Sequence, residues 1–542
     1  MVARTRIQQI LYIVYRKKLK NCFYVFPVLP LYSKVGYKTK QDLSQTRYAT
    51  ILSIANRKRR INIMRYKFKF KPYDHQLQAL EKSWNEPYFA FFMDMGTGKS
   101  KVLIDNMSML YDRGEVTGAL IIAPKGVYKN WERKELPTHL PDHINANIVA
   151  WSPEKTRKKQ KEVDTLFEVD DRLQIFVMNV EAFSSKRGVD IAGRFLFCHK
   201  GLIAVDESTT IKARTANRTK NLIKLARKSR YRRILTGSPV TKSPLDLYTQ
   251  CDFLSSGVLG HSNFFTFQNR YAKLVRTTMG AHSFNKVVGY QNLDELNKLI
   301  EPFSFRVRKE DCLDLPDKVY TKRTVELTPE QGKLYEQMKR NAIAIIEGEG
   351  FIDASTILTQ LLRLQQVCSG FGKLDDGRVV KVPCNKLKEL MSVIEETDGK
   401  IIIWGNFTHD LHIIGDELVK VYGEESTALF YGDTPAEERQ NIVEKFQDPN
   451  HPLRFFVGQP RTGGYGLTLT EAHTVVYYSN GYDLEIRLQS EDRAHRIGQT
   501  NKVTYIDLIT ERTVDEKILQ ALRNKIDIST TVLAEGHKEW II

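Results

Sequence analysis

Apolar residues along this chain gather into short, nearly continuous runs: YFAFFM, GALIIAP, LQIFVMN and LIAVDE in the first half, then IIIWGN, RFFVGQ, VVYYSN and VTYIDLIT in the second. Runs of about four to eight apolar residues, each halted by turn-forming or polar residues, predict strands buried on both faces, as in a parallel sheet wrapped by helices. Several runs feed directly into loops, so the ends of strands are where chemistry is expected. The chain has 542 residues, more than one core accommodates, and two or more domains are expected.

A different pattern marks residues 489–500, QSEDRAHRIGQT. If the stretch is helical, Gln489, Arg493 and Arg496 fall at i, i+4 and i+7 and share one stripe. One reading is a solvated charged face partnered by Glu491 and Asp492. The other is a pair of guanidiniums aimed at a phosphate group held elsewhere in the chain. Arg487 lies off the stripe and is expected to matter much less.

The net charge of +18, from 82 basic and 64 acidic residues, suggests a polyanionic partner. Its distribution weakens that inference, because residues 1–63 hold 14 Lys and Arg and a single acid, Asp42. This basic extension reads as a transit-like peptide, a DNA-binding arm or sequence translated from a misplaced start, with the misplaced start or a poorly ordered arm favoured. Recognisable organisation begins at Met64, so a chain starting there is expected to keep its chemistry. The 6 cysteines are scattered with no C-x-x-C pair, which argues against a zinc framework or disulfide scaffold and for a reducing compartment. No apolar run reaches the ~18–20 residues that span a bilayer. A cytoplasmic protein, or a nuclear one in a eukaryote, is expected.

Residues 88–110, YFAFFMDMGTGKSKVLIDNMSML, read as strand, glycine-rich turn and helix. Such a turn points backbone N–H groups at an anion, at the positive end of the following helix. Met95, Gly96, Thr97, Gly98, Lys99 and Ser100 would cradle the phosphates of a nucleotide, with Lys99 reaching the β/γ-phosphates and the Ser100 hydroxyl reaching Mg²⁺. Met93 stands where the strict pattern has its first glycine. Downstream, LIAVDEST ends a strand in two carboxylates. Asp206 suits Mg²⁺, and Glu207 suits orienting and deprotonating an attacking water. A helix start with an acidic cap is the plainer reading of the same pair.

Taken in order, YDHQLQAL, MDMGTGKS, LIIAPKGVYKNWERKE, AVDEST, RRILTGSPVTKSPLDLY, KIIIWGNFTHD, FFVGQPRTGGYGLTLTEAHTVVYY and RLQSEDRAHRIGQT resemble the motifs of superfamily 2 helicase-like ATPases. The blocks FSFRVRKEDCLDLPDKVYTKRTVELTPEQGKLYEQM and YIDLITERTVDEKIL resemble those of the SWI/SNF-type branch, the double-stranded DNA translocases, in a compact bacterial or phage-like form. The resemblance covers about residues 66–525. It implies an α/β fold of two RecA-like P-loop NTPase lobes with mainly parallel sheets. Lobe 1 is expected over 66–255, helical insertions over 256–400 and lobe 2 over 320–525, after a basic extension over 1–65 and before a tail over 526–542. It implies ATP with Mg²⁺, Gln76 as the contact to the base, and Arg493 and Arg496 as fingers facing the γ-phosphate from lobe 2. Gln489 would order the water or hydroxyl network beside them.

Two departures stand out. Ser208-Thr209 replaces the family's Ala-His after the acidic pair, which puts the coupling of this loop to lobe 2 in doubt. The next motif reads Ser238-Pro239-Val240-Thr241 in place of the commoner Thr-Pro-Ile-Gln.

The same resemblance implies duplex DNA as the partner of a monomeric enzyme, tracked along one strand through phosphates, which carry no sequence information. Pro124, Lys125 and Trp131 would shape the strand's path on lobe 1, and Arg461, Thr462, Gly463, Gly464 and Gly466 on lobe 2. Trp131 equally suits core packing, and the glycine run equally suits a plain turn. The expected function is a DNA-stimulated ATPase that translocates on duplex DNA and remodels DNA or protein–DNA complexes, in repair, replication or recombination. The alternatives are a strand-separating DNA or RNA helicase and, outside the enzymes, a DNA-binding scaffold with a degenerate ATPase. Intact Lys99, Asp206, Glu207 and Arg493 argue against the scaffold.

Overall fold

The computed structural model describes residues 63–532 apart from 64, 155, 169, 280–281, 313–314, 349–353, 374–377 and 464–466. The basic extension up to residue 62, the end of the tail, Gly464 and Gly466 therefore lie outside the described residues. The described residues belong to one compact unit. Among them no helix is long and apolar enough to cross a membrane.

Lobe 1 is built from β1 (Tyr88–Met93), β2 (Gly118–Ala123), β3 (Ala146–Ala150), β4 (Leu173–Asn179), β5 (Gly201–Asp206) and β6 (Tyr231–Thr236). After β6 the chain makes a separate antiparallel hairpin, β7 (Ala272–Met279) with β8 (His282–Tyr290). It then returns as β9 (Ser304–Val307) to the lobe 1 sheet. The seven strands run in the order β3-β4-β2-β5-β6-β1-β9, all parallel. The region expected to hold helical insertions thus also supplies an edge strand of lobe 1 and a hairpin.

The apolar runs become strands because both faces are covered. Phe89, Phe91 and Met93 of β1 enter one core, while Ala90 and Phe92 enter the other. Burial of each such aromatic stabilises by roughly 1.5–3 kcal/mol relative to exposure.

Lobe 2 repeats the design with β10 (Lys318–Val325), β13 (Lys400–Trp404), β14 (Thr427–Phe430), β15 (Phe455–Gly458), β16 (Ala472–Tyr477) and β17 (Val503–Thr510). A small ribbon, β11 (Phe371–Lys373) with β12 (Val379–Lys381), stands apart. The parallel order is β10-β17-β16-β13-β15-β14. These are two RecA-like α/β lobes.

The helices that matter below are α1 (Asp74–Ser83), α2 (Lys99–Asp112), α3 (Pro329–Gly348), α4 (Ala354–Cys368), α5 (Thr408–Tyr422), α6 (Leu484–Glu491) and α7 (Val514–Val532). Tyr335, Leu364, Val367 and Cys368 pack with Leu484 and with Val514, Ile518 and Leu522. This separate core pins α6 against the inserted helices α3 and α4 and the last helix, α7.

Two expectations around α6 are corrected. The helix under QSEDRAHRIGQT ends at Glu491, and residues 492–499 continue as turns. Arg487 is no bystander. It is buried, its Nε donates to Glu491 Oε1 at 2.8 Å and its Nη1 to Asp507 Oδ1 at 2.6 Å and Asn480 Oδ1 at 2.7 Å. Its guanidinium also lies 3.4 Å from the centre of the Tyr477 ring. A side chain off the stripe points into the lobe, which sequence spacing alone does not reveal.

Candidate active site

The loop between β1 and α2 needs its glycines. Gly96 and Gly98 have φ of +80° and +87°, a backbone that L side chains rarely adopt. A Cβ on Gly98 would also lie 2.2 Å from Gln76 Nε2. The loop is held from α1, where His75 Nε2 lies 2.8 Å from the Thr97 carbonyl and Gln76 Nε2 donates to the same oxygen at 3.1 Å. Gln76 Oε1 accepts from the Tyr73 amide at 3.0 Å. Lys99 is buried, and its Nζ donates to the Asp94 carbonyl at 3.2 Å.

The opposite wall of the loop comes from the segment after β9. Arg306 Nη1 donates to Asp94 Oδ1 at 2.9 Å and to the Gly237 carbonyl at 3.0 Å, and the Lys309 amide donates to Asp94 Oδ2 at 3.1 Å. Lys309 Nζ crosses to lobe 2, reaching Asp492 and, at 2.7 Å, the His495 carbonyl. Burial brings the Lys309 ammonium down to about 8, with Asp492 opposing the shift. Neither Asp94, Arg306 nor Lys309 was singled out from sequence. Nothing local in the block containing Arg306 and Lys309 indicates contact with a loop some 210 residues earlier.

At the end of β5, Asp206 Oδ1 accepts the Glu207 amide at 3.0 Å and Oδ2 accepts Trp131 Nε1 at 3.0 Å. Trp131 is 2% exposed. Its indole lies beneath the acidic pair and supports Asp206. Glu207 takes a left-handed backbone, φ 47° and ψ 62°, which costs on the order of 1 kcal/mol and points the side chain into the site. Burial pushes its carboxyl up to about 8, with Lys99 opposing and Asp206 and Glu485 adding. Burial raises Asp206 as well, again against Lys99. Two buried carboxylates share one lysine, and Asp206 and the Ser100 hydroxyl are oxygen donors. That set suits a hard divalent cation.

Lobe 2 brings its arginines to this loop. Arg493, 6% exposed, donates through Nε to the Gln489 carbonyl at 2.8 Å and through Nη1 to the Leu467 carbonyl at 3.3 Å. Its Nη2 lies 3.7 Å from Met95 Sδ on lobe 1. Arg496 Nη1 donates to the same Leu467 carbonyl at 2.9 Å, and Arg496 Cβ is 3.9 Å from where a Cβ on Gly96 would stand. The two guanidiniums converge without a continuous helix. Glu491 pairs with Arg487 and Lys318, and Asp492 with Lys309, while the charge of Asp492 also acts on both Arg493 and Arg496. Gln489 Nε2 donates to Glu485 Oε1 at 3.4 Å, while its buried Oε1 has no partner.

The remaining positions read from sequence divide. Lys125 and Arg461 are exposed and Thr462 is half-buried, whereas Pro124 is buried under the turn that its carbonyl caps. Gly463 is also buried, and a Cβ there would lie 2.5 Å from Trp404 Cη2. The close approach that requires glycine is to an indole of lobe 2.

Residues 88–372 match the SNF2-related domain and residues 384–498 the helicase conserved C-terminal domain. A putative ATP-dependent helicase/translocase of Bacillus subtilis, YwqA, is 28% identical over 463 residues, covering 83% of this chain and 46% of its own. An uncharacterised ATP-dependent helicase of Mycoplasma pneumoniae is 28% identical over 448 residues, 82% of this chain and 40% of its own. The chain thus spans less than half the length of these relatives. The Sulfolobus solfataricus SWI2/SNF2 ATPase core, solved in complex with dsDNA, aligns at 26% identity and a TM-score of 0.38, covering 87% of this chain and 94% of that one. The glycine loop and the acidic pair lie within the first matched domain and the arginine turns within the second, and the chain belongs to the SNF2-related family.

Proposed function

We propose that this chain is a DNA-stimulated ATPase that translocates on duplex DNA and remodels DNA or protein–DNA complexes. The observation that carries this reading is the split site: Arg493 on lobe 2 reaches Met95 in the phosphate loop of lobe 1. In it Lys99 and the loop amides hold the phosphates, and Glu207 orients and deprotonates the attacking water. Arg493 and Arg496 stabilise the charge that spreads over the transferring phosphoryl group, and Gln489 offers its unpartnered oxygen to the water network. Magnesium, held by Ser100 and Asp206, would supply charge neutralisation between the phosphates and these carboxylates. Hydrolysis then requires the lobes to be together, and their cycle of approach and release is the motor.

A cleft of about 520 Å³ between the lobes supports the DNA part of the reading. It is lined by Lys242 of lobe 1 and by Arg461 and Lys525 of lobe 2. Cations on both walls let one phosphate backbone be gripped by each lobe in turn. Relatives named as helicase/translocase agree with this reading at the level of family.

The test is ATPase rate against duplex length, with single-stranded DNA as control. Stimulation should grow with duplex length, and a triplex strand should be displaced without separation of the duplex. Replacing Lys242, Arg461 and Lys525 together by Ala should weaken DNA binding and flatten its salt dependence by about 0.9 in log–log slope per lost phosphate contact. Efficient ATP-dependent unwinding of a forked duplex would instead favour a strand-separating helicase.

A further inference from the structure

The position where this chain departs from its family meets a residue that the motif does not include. Ser208 and Thr209 open the turn that follows Glu207. Ser208 turns inward, its Oγ donating to Gln250 Oε1 at 2.7 Å, and Gln250 Nε2 donates to the Pro239 carbonyl at 2.8 Å. Thr209 turns outward and its Oγ1 donates to Glu485 Oε1, on α6 of lobe 2. Lys212 Nζ lies 3.4 Å from Glu485 Oε2 and donates at 2.6 Å to Thr241 Oγ1, the other departure from the family pattern. Glu485 Oε1 also accepts Gln489 Nε2, one turn along the same helix, and Arg493 Nε is bonded to the Gln489 carbonyl.

Glu485, Gln489 and Arg493 are spaced four residues apart. From Glu207 through Thr209, Glu485 and Gln489 to Arg493, an unbroken path of short covalent links and hydrogen bonds joins the base on one lobe to the finger on the other. The Glu485 side chain is 16% exposed and that of Lys212 is 19% exposed. A carboxylate so placed stands near two other acids, and with the lobes apart it would lose Thr209 and Lys212 together.

We infer that Glu485 is a positioning residue, a latch that seats the Thr209–Lys212 turn of lobe 1 against the arginine-bearing segment of lobe 2. It replaces, through a lobe 2 carboxylate and a lobe 1 hydroxyl and ammonium, the coupling that the missing Ala-His would have provided. It touches no reacting atom and acts by fixing where Gln489 and Arg493 stand when the lobes meet. The inference rests on the split-site reading of the ATPase.

The test compares Thr209→Val, Glu485→Gln and the double variant in the full chain. Each single change should lower kcat for ATP by on the order of tenfold, the scale of coupling between contacting groups. KM for ATP and affinity for a fluorescent ATP analogue should stay within about twofold, because the nucleotide's other partners are untouched. The double variant should be no slower than the worse single variant. In solution scattering with a non-hydrolysable ATP analogue, the variants should be more extended than the wild type. Multiplicative losses in the double variant, a change confined to KM, or unchanged kcat with unchanged compaction would each overturn the latch. Turnover is measured with and without duplex DNA, so a wild-type enzyme indifferent to DNA would count against the translocase reading while kcat and compaction still decide the latch.

Discussion

Both lobes run a buried parallel strand into a glycine turn and a helix, and they use that turn in opposite ways. In lobe 1 the turn from β1 to α2 is open: Gly96 and Gly98 keep a left-handed backbone, and Lys99 donates to a carbonyl of its own loop. In lobe 2 the turn from β13 to α5 is filled. A Cβ on Gly405 would lie 2.9 Å from Leu411 Cδ2, the Asn406 amide donates to Ser479 Oγ at 2.7 Å, and Asp410 is buried in the first turn of α5. A helix N-terminus favours an anion. Lobe 1 leaves that place open, and lobe 2 fills it with a carboxyl group of its own. On the proposed reading, the difference lets two similar sheets divide one reaction, with one lobe to bind phosphate and the other to complete the site.

The largest effect should follow from breaking the open turn and its acids. Lys99→Ala should abolish most nucleotide binding or turnover. Glu207→Gln should bind ATP yet hydrolyse it roughly 10²–10⁴-fold more slowly, the range for losing a general base. Single-turnover hydrolysis beside equilibrium binding of an ATP analogue separates these outcomes. Near-normal turnover of Glu207→Gln would remove it from the base role.

Next comes the lobe that completes the site. Arg493→Ala and Arg496→Ala should each cut the DNA-stimulated rate by roughly two orders of magnitude while sparing ATP and DNA affinity, because lobe 1 holds the nucleotide without them. Arg→Lys should not rescue, since an ammonium lacks the planar fork. If nucleotide affinity fell instead, lobe 2 would share in binding and the division between the turns would blur.

How much of this was legible in the sequence follows the same division. The phosphate loop is local, and its glycines, lysine and serine are consecutive, so pattern alone located it. The strands were legible because runs such as YFAFFM are buried on both faces. What spacing could not supply was the far partner. Asp94 meets Arg306 and Lys309, Trp131 meets Asp206, and Thr209 meets Glu485 across 276 positions. The stripe through Gln489, Arg493 and Arg496 assumes a continuous helix, whereas α6 stops at Glu491 and the two guanidiniums converge through the turns that follow. Arg487 shows the cost of that premise, since helical spacing placed it outside the stripe without indicating where it points.

Arg487 therefore yields a stability prediction. Removing it would leave Asp507 and Glu491 buried, the latter held below the usual carboxylate range against its burial by Lys318 and Arg487. Breaking a buried pair in this way costs roughly 3–5 kcal/mol. Arg487→Ala should lower the free energy of unfolding by that amount, read as a lower denaturation midpoint. An unchanged midpoint with a hundredfold loss of kcat would place Arg487 among the fingers.

The last effect concerns the carboxyl group that lobe 2 places at its own turn, and it vanishes at low pH. Burial raises the Asp410 carboxyl to about 7, with a hydrogen bond from Ser479, the Lys386 ammonium and the Phe407 backbone opposing. The folded state therefore holds a proton that the unfolded chain has already released, and folding takes up that proton in the window from about 4 to about 7. Because the native state binds more protons, stability falls as pH rises through that window, by at most about 1.4 kcal/mol per pH unit. Asp410→Asn keeps an oxygen for the Ser479 hydroxyl, which donates to Asp410 Oδ2 at 2.6 Å, and removes the titration. The variant should match the wild type near pH 4 and exceed it in melting temperature at pH 8, with the gap opening between. A gap that is constant with pH would mean that the carboxylate is ionised throughout in the fold. Lobe 2 would then hold a full negative charge at the head of α5, which would exclude phosphate from that turn more strongly still.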